Sequence, residues 1–325
     1  MRALVIGGTL FIGRRLVERL LKEGHGVAVL HRRKAEHLPA QVEQLLADRN
    51  DNEAVRRAVA GRRFDVVFDN VYDWERGTTA EQVAATARIL GDGLRRYVFM
   101  SSVAAYGEGL DHAEEDPLAP DDHPIAYVRH KAASERALFR LCRECGLPVV
   151  TLRPPFVYGP GNPFYREAFF WDRLEQGRPI IVPGDGSRLM QFVFVEDLVW
   201  TCLRAAVEPA AVGEAFNVAH ERPVTQTELV LALARAAQKQ AKLVYVNRER
   251  IEAAGGSVMG PEKLYFGVYF DVPPITERVE KATRLLGFTP TDWEAALRKT
   301  YEWYRTHHVR QPQDYSFEDS LIASG

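Results

Sequence analysis

The segment YVRHK places a tyrosine, Tyr127, four residues before a lysine, Lys131. On a helix these two side chains lie one turn apart on the same face. A lysine ammonium beside a phenol favours the phenolate, so the pair could be a general base and the cation that lowers its pKa. The same pair is also common on solvated helix faces. The elements that position it therefore decide between a catalytic and a surface role.

The first half of the chain alternates short apolar runs with helical periods. Strands are predicted at residues 3–7, 27–31, 64–70, 96–102 and 148–154, and helices at 12–24, 51–61, 78–93 and 127–146. Strict alternation of strand and helix predicts right-handed crossovers and a parallel sheet covered on both faces. The fold class is therefore α/β, with a Rossmann-type doubly wound parallel sheet.

From about Pro155 onward, proline and glycine clusters separate shorter elements, which predicts a smaller mixed α/β C-terminal substrate lobe. Two capping boxes, Thr225 to Glu228 and Thr291 to Glu294, predict helix starts in this lobe. The expected organisation is a dinucleotide-binding domain at 1–155, a substrate-binding lobe at 156–310 that interleaves with it, and a loosely held tail at 311–325.

A glycine-rich turn, VIGGTLFIG, joins the first predicted strand to the first helix. Such a turn directs backbone N–H groups and the positive end of the helix at the pyrophosphate of a dinucleotide. Leu10 stands midway between the first and last glycines, where a third glycine is usual, so its side chain must point away or narrow the pocket. The predicted cofactor-binding residues of this turn are Gly7, Thr9, Leu10, Phe11, Ile12 and Gly13.

The second strand ends in His31, Arg32, Arg33 and Lys34. NAD-specific sites usually have an acidic residue at this tip, whereas guanidinium groups pair well with the 2′-phosphate of NADP. The expected cofactor is therefore NAD or NADP, and NADP is favoured. Alternatively, these basic residues form only a solvated loop that contacts no cofactor. Asp48, after the third strand, could meet the adenine amino group.

A strand predicted at residues 96–102 delivers Ser102 to the carboxyl edge of the sheet, where ligands bind in such folds. Ser102 could hold a substrate oxygen there. Tyr127 would then take the proton of the substrate alcohol as hydride passes from the substrate to the nicotinamide. Lys131 would lower the pKa of Tyr127 and would also hold the nicotinamide ribose. The predicted catalytic residues are Ser102, Tyr127 and Lys131.

Composition narrows the partners. The formal net charge of the 325 residues is −2, so nucleic acid is not an expected partner. No apolar run of about 18 residues occurs, so neither a membrane span nor a membrane partner is expected. The three cysteines form no disulfide framework, which suits a cytoplasmic protein, and Cys142 and Cys145 fit helix residues better than a metal or redox site. No metal is expected.

Several motifs together resemble the extended short-chain dehydrogenase/reductases of the nucleotide-sugar epimerase/dehydratase type. They are GGTLFIG, SSVAAYG, YVRHK, LRPPFVYGPGN, FVFVEDL and EAFNVA. The resemblance implies that Pro154, Phe156 and Val157 lie on the nicotinamide side, and that Asn162 belongs to a lobe that closes over a sugar or nucleotide-sugar substrate. It also implies a possible homodimer built on the helices at 78–93 and 127–145.

The chain also departs from that pattern. Val103 and Ala104 replace the acidic pair of the dehydratases, so 4,6-dehydration is not expected. Met190 and Gln191 precede FVFVEDL where an arginine is common, which leaves Arg188 as the nearest candidate for the substrate diphosphate. FDNVYD stands where small residues usually back the cofactor.

The favoured function is an NAD(P)-dependent epimerase that oxidises a sugar hydroxyl at C4 to a transient ketone. One alternative is an NADP-dependent reductase or dehydrogenase of a non-nucleotide carbonyl. Another follows from GGTLFIGR and DVVFDN, which resemble a branch that includes the chloroplast stem-loop-binding proteins. On that resemblance the chain would be a non-catalytic RNA-binding protein on the same scaffold.

Overall fold

The computed structural model describes residues 1–260 and 262–323. The strands are β1 Arg2–Ile6, β2 Gly26–His31, β3 Glu43–Leu46, β4 Val66–Asp69, β5 Arg96–Met100, β6 Gly109–His112, β7 Val149–Arg153, β8 Phe156–Tyr158, β9 Pro179–Pro183, β10 Leu189–Met190, β11 Phe192–Phe194, β12 Glu214–Asn217, β13 Val224–Thr225, β14 Lys242–Val246 and β15 Ile275–Glu277. The helices are α1 Phe11–Lys22, α2 Asn52–Val59, α3 Ala80–Leu90, α4 Ala126–Cys145, α5 Glu167–Glu175, α6 Val195–Val207, α7 Gln226–Ala236, α8 Arg248–Ala253, α9 Glu280–Leu286, α10 Trp293–His307 and α11 Ser316–Ala323.

Seven parallel strands form the central sheet in the order β12-β7-β5-β4-β1-β2-β3. Successive residues of β1 enter opposite cores: Ala3 and Val5 face one, and Leu4 and Ile6 face the other. Helices α1 and α6 pack on the first face and α3 and α4 on the second. The predicted doubly wound sheet is therefore confirmed. It could be predicted from the sequence because strands that are buried on both faces must be apolar throughout.

The strict alternation of strand and helix is wrong at the connection from β2 to β3. Strand β2 reaches its neighbour β3 through residues 32–42, which form turns and irregular structure without a helix. This segment carries four basic or histidine side chains and a proline, so it lacks the apolar stripe that would hold a helix against the sheet.

Small two-stranded sheets follow residue 155. Strand β8 pairs with β11, β9 with β14 and β10 with β13, while β15 returns to β6. Strand β12 joins the central sheet beside β7, and α6 packs against α1 on one face of that sheet. The later half of the chain therefore also contributes to the central sheet and its helical cover.

The two predicted capping boxes have different outcomes. Thr225 caps α7, and its side chain and that of Glu228 exchange bonds with the backbone as predicted. The second box is wrong, because Asp292 caps α10 by accepting from the Ala295 N–H at 2.9 Å. Thr291 instead donates its hydroxyl to the buried Asp197 at 2.6 Å. A tertiary partner has replaced the local cap.

The expected loose tail is wrong for residues 316–323. They form α11, which buries Leu321 and inserts Glu318 beside the buried Arg173, whose Nε donates to the carboxylate at 3.0 Å. Residues 324 and 325 of the predicted tail lie outside the described residues. Over the described ranges, no helix has both the length and the apolar character needed to cross a membrane.

Candidate active site

The glycine turn after β1 has the close backbone approach that its sequence predicts. Gly7 has φ +85°, and a Cβ there would lie 2.3 Å from the Val71 side chain. At Gly13 a Cβ would lie 1.9 Å from the Gly7 carbonyl oxygen. Both positions therefore require glycine, and the turn brings the start of α1 directly onto the end of β1.

The start of α1 is open to an anion. Leu10 is its N-cap residue in extended conformation, makes no side-chain capping bond and is 66% exposed. No acidic residue occupies the first turn of α1, which keeps the positive helix end unneutralised. Phe11 adopts φ +35°, and the Thr9 carbonyl lies 3.0 Å from Nε2 of His37. Ile12 is partly buried against the core.

The tip of β2 presents one buried and two exposed basic side chains. His31 is buried, burial lowers its pKa, and its Nε2 has no hydrogen-bond partner among the described residues. Arg32 is exposed and lies 3.6 Å from the Asp73 carboxylate, and Arg33 is exposed. This tip therefore offers donors and no acidic side chain of its own.

Asp48 is held by an arginine. Its carboxylate accepts from Arg76 at 2.6 Å, and the same arginine bonds Asp73 at 2.6 Å. Burial raises the pKa of Asp48, but the bonds from the Asn50 backbone and from Arg76 outweigh it and leave the pKa lowered. The carboxylate expected near the adenine thus also fixes the loop that follows β4.

A buried amide at the end of β4 was not predicted as a site residue. Asn70 follows Asp69, and its N–H donates to the Ile6 carbonyl at 3.1 Å beside the glycine turn. Both of its side-chain amide atoms are buried without a partner in the part of the chain that the structure describes. Its signal was the polar FDN motif at a strand end where small residues are usual.

Ser102 stands at the carboxyl edge of the sheet, just beyond β5. It caps a short 3-10 helix (residues 103–106), where its Oγ accepts from the Ala104 N–H at 3.2 Å. Its side chain is also close enough to the Tyr127 phenol to lower the pKa of that phenol. The neighbouring Ser101 is buried and donates to Glu135 instead. The strand end therefore turns Ser102, and not Ser101, toward Tyr127.

The structure brings Tyr127 and Lys131 together on the first two turns of α4, as predicted. Burial raises the pKa of Tyr127, while the contact with Ser102 and the charge of Arg166 act in the opposite direction without cancelling it. Lys131 is only 4% exposed, its Nζ donates to the Met100 carbonyl at 2.6 Å, and it lies 5.8 Å from the centre of the Tyr127 ring. Burial lowers the pKa of Lys131 to about 8. The chain alone therefore does not produce the lowered phenol pKa expected from this pair.

An aromatic cluster missed at the sequence level surrounds Tyr127. The Trp74 ring stacks on it with centroids 4.8 Å apart and an interplanar angle of 22°, although Trp74 is 57% exposed. Tyr72 meets it edge-on at 4.8 Å, and the Tyr72 hydroxyl lies 3.0 Å from Nδ1 of His130. Both residues come from the segment after β4, so the fold alone joins them to α4.

Residues 154–157 lead from β7 into β8. Val103 N–H donates to the Pro154 carbonyl at 3.0 Å, which ties this segment to the 3-10 helix after Ser102. Val157 is buried, while Phe156 is partly exposed and its ring lies 5.1 Å from the guanidinium carbon of Arg166. Arg166 is a further residue of this region that the sequence did not predict.

The two predicted substrate residues differ in their surroundings. Asn162 donates to Glu167 at 2.9 Å, directly beside Arg166. Arg188 donates to the buried Asp271 carboxylate at 2.8 Å, which Arg248 also contacts at 3.1 Å. Within the described ranges no contact joins Arg188 to Ser102, Tyr127 or Lys131, so the structure does not bring this residue to the others.

The fold places the chain in the class of doubly wound α/β proteins with a Rossmann arrangement. The chain belongs to the NAD dependent epimerase/dehydratase family, whose family model matches residues 3–219. It is 30% identical, over 99% of its length and 84% of the relative, to the chloroplast stem-loop binding protein of 41 kDa b of Arabidopsis thaliana. It is 31% identical, over 73% of this chain and 82% of the relative, to a UDP-glucose 4-epimerase of Mycolicibacterium smegmatis.

A solved structure of a UDP-glucose 4-epimerase with UDP-glucose from Thermotoga maritima superimposes with a TM-score of 0.72 at 25% identity. The match covers 94% of this chain and 99% of that one. The family expected from the motifs is confirmed, including the similarity to the chloroplast stem-loop-binding branch.

Proposed function

We propose that the protein is an NAD(P)-dependent epimerase that acts on a sugar or nucleotide-sugar through a transient keto intermediate. The observation that carries this proposal is the meeting of Ser102, Tyr127 and Lys131 at the edge of the sheet where the glycine turn lies. Strands β5, β4 and β1 are neighbours, and their carboxyl ends open at one edge on both sides of the point where the strand order reverses.

The residues present fit a bound dinucleotide. Glycine at positions 7 and 13 lets the start of α1 lie against the end of β1, and unpartnered polar side-chain atoms of His31 and Asn70 lie at the ends of β2 and β4. In the proposal these groups hold the cofactor together with Asp48, Pro154, Phe156 and Val157. A nicotinamide dinucleotide, when bound, supplies the hydride acceptor and donor.

The chain's own residues handle the proton and the substrate oxygen. Ser102 donates to the reacting oxygen and fixes it near the phenol. Tyr127 takes the proton of the hydroxyl as the ketone forms and returns it when the ketone is reduced from its other face, so no net redox change occurs. Lys131 favours the phenolate in this cycle.

We further propose that NADP is preferred. Asp73, the acidic group near Arg32, is already bound by Arg76 at 2.6 Å, against 3.6 Å for Arg32, so the exposed Arg32 and Arg33 remain free to meet a 2′-phosphate. Equilibrium titrations with NADH and NADPH check the preference, and tighter binding of NADH contradicts it.

The central test is Tyr127→Phe. Interconversion of UDP-glucose and UDP-galactose, followed by NMR, should fall by roughly 10²- to 10⁴-fold because the proton acceptor is lost. Nicotinamide binding should stay unchanged. Tyr245→Phe is the matched control, because Tyr245 is 52% exposed on β14 and should keep full turnover. A Tyr127→Phe protein that turns over normally refutes the assigned role.

RNA binding is the second candidate, favoured by the 30% identity over 99% of the chain to a protein named for stem-loop binding. RNA retained through purification and released steeply by salt would support it. Steady consumption of added NADPH would instead support a net reductase. Helices α3 and α4 pack side by side as the proposed homodimer requires, which sedimentation tests.

A further inference from the structure

Trp74 is an exposed aromatic residue in direct contact with the candidate catalytic residue. Its indole stacks on the ring of Tyr127, with centroids 4.8 Å apart and planes 22° from parallel. Even so, 57% of the residue is exposed. Stacking covers one face of the indole, so much of its remaining surface is open to a ligand beside Tyr127. The proposed proton chemistry leaves this surface unused.

A hydrogen-bonded turn fixes the backbone on both sides of Trp74. The Asp73 carboxylate accepts from the backbone N–H groups of Glu75 and Arg76, both at 3.0 Å. The Asp73 N–H donates to the Thr78 hydroxyl at 3.0 Å, which ties the start of the turn to its end. Because the turn is already ordered, a ligand that binds the indole loses little free energy to ordering this segment.

The same turn is packed against α4, the helix that carries Tyr127. A Cβ at Gly77 would lie 2.6 Å from the His130 ring, so the backbone of the turn approaches that side chain closely. The Tyr72 hydroxyl lies 3.0 Å from Nδ1 of the same histidine, and the Tyr72 ring meets that of Trp74 at 5.1 Å. These contacts hold the indole in a constant position relative to Tyr127.

Tyr269 lies beside Trp74 in a backbone conformation that bulky residues rarely adopt. Its φ is +65°, and its N–H donates to the Val258 carbonyl at 2.7 Å. Its ring lies 6.4 Å from the Trp74 ring, with planes 24° from parallel. Such conformations persist where the surrounding contacts enforce them, and they cluster at binding sites. Two segments far apart in the chain therefore bring flat rings to the same place.

Flat aromatic faces suit the C–H groups of a saturated ring. The face of an aromatic ring is apolar and carries partial negative charge, so it attracts C–H groups, whose hydrogens are slightly positive. Unlike a hydrogen bond, this contact does not demand one orientation of the ligand. A glucopyranose carries axial C–H groups on both of its faces. The proposed epimerisation requires this tolerance, because the ketone must present each face in turn to the nicotinamide.

We propose that Trp74 is a stacking platform for the substrate ring, which lies with a C–H face on the indole while its reacting oxygen meets Tyr127. The substrate is then a cyclic alcohol of the pyranose type, and the platform holds it in either of its two orientations. Tyr269 forms the second wall of this subsite. The inference rests on the proposed function for the position of the reacting oxygen at Tyr127.

Isothermal titration with UDP-glucose, UDP-galactose and UDP tests the platform, since UDP lacks the sugar. Trp74→Leu keeps an apolar cover on Tyr127 but removes the flat face. It should weaken the binding of both nucleotide-sugars by the same factor, about 2- to 10-fold, and leave UDP binding unchanged. Trp74→Phe keeps a flat face and should retain most of the affinity. Trp303→Leu is the matched control, because Trp303 stacks on His307 in α10 and should not affect any of the three ligands.

If the nucleotide-sugars bind, they decide the outcome. The platform is refuted if Trp74→Leu binds both as tightly as the wild type does, or if only one of the two epimers is weakened. If neither nucleotide-sugar binds, the proposed substrate class fails, and cyclohexanol and propan-2-ol, compared by saturation-transfer NMR, test the platform separately. Cyclohexanol preferred by the wild type and not by Trp74→Leu then supports a platform for a ring-shaped alcohol. Equal preference in the two proteins, or no preference in the wild type, refutes it.

Discussion

Lys131→Met should make the protein more stable while removing its proposed activity. Lys131 is 4% exposed, and burial lowers its pKa from the usual 10.5 to about 8. At 1.36 kcal/mol per pH unit, enclosing this charge costs roughly 3 kcal/mol at pH 7. Methionine fills similar space without a charge. It loses the bond to the Met100 carbonyl, which contributes about 1 kcal/mol, so a net gain of roughly 1–2 kcal/mol is expected.

The gain should depend on pH in a defined direction. The folded pKa of Lys131, about 8, lies below that of the unfolded chain, so the unfolded state binds more protons between these values. The stability of the wild type therefore rises with pH across this window relative to the variant, which lacks the group. By pH 10 the cost of the charge should fall below roughly 1 kcal/mol, and the advantage of Lys131→Met should disappear.

Urea unfolding of both proteins at pH 7 and pH 10, without added cofactor, measures this difference. Other titrating groups are common to both proteins and cancel. The reasoning is refuted if Lys131→Met is destabilised at pH 7, or if the difference between the two proteins is the same at both pH values. Loss of turnover together with increased stability would indicate that Lys131 is kept for function at the expense of stability.

Gly13→Ala should abolish dinucleotide binding and lower the melting temperature, because the added methyl group would lie 1.9 Å from the Gly7 carbonyl oxygen. Gly26→Ala is the control and should be tolerated, because the nearest atom to its added methyl group lies at 3.9 Å. Equal binding and melting temperatures of the two variants would contradict the close approach at Gly13. Glu318→Ala should destabilise the protein by about 3–5 kcal/mol in urea unfolding, because Arg173 is left buried and unpaired. Asp319→Ala removes a largely exposed partner of Arg178 and should lower the free energy of unfolding by no more than about 1 kcal/mol. If Glu318→Ala lowers it by a similarly small amount, α11 is not docked as described.

Local patterns predicted the elements that carry the site. The apolar runs of β1 and β5, the glycine turn and the helical spacing of Tyr127 and Lys131 are short-range features that lie within a few residues of each other. Ser102 could be matched to them because carboxyl ends of parallel strands open at one edge.

Contacts between distant segments were not predictable in the same way. Trp74 and Arg166 have no local motif, and they reach Tyr127 only because the loop after β4 and the segment before α5 converge on α4. The box at Thr291 failed for the same reason, since Asp197, 94 positions away, provides a better partner. The tail was misassigned because its polar composition conceals Glu318, whose burial depends on Arg173.

The sequence by itself determined the sheet, the glycine turn, the family and the three residues proposed for proton transfer, because periodicity and steric demand act over a few residues. Only the tertiary structure decided the environment of those residues: the burial that raises the pKa of Tyr127 and lowers that of Lys131, and the cation of Arg166 beside them. Desolvation and charge act through space, so they depend on which segments meet and not on their order in the chain.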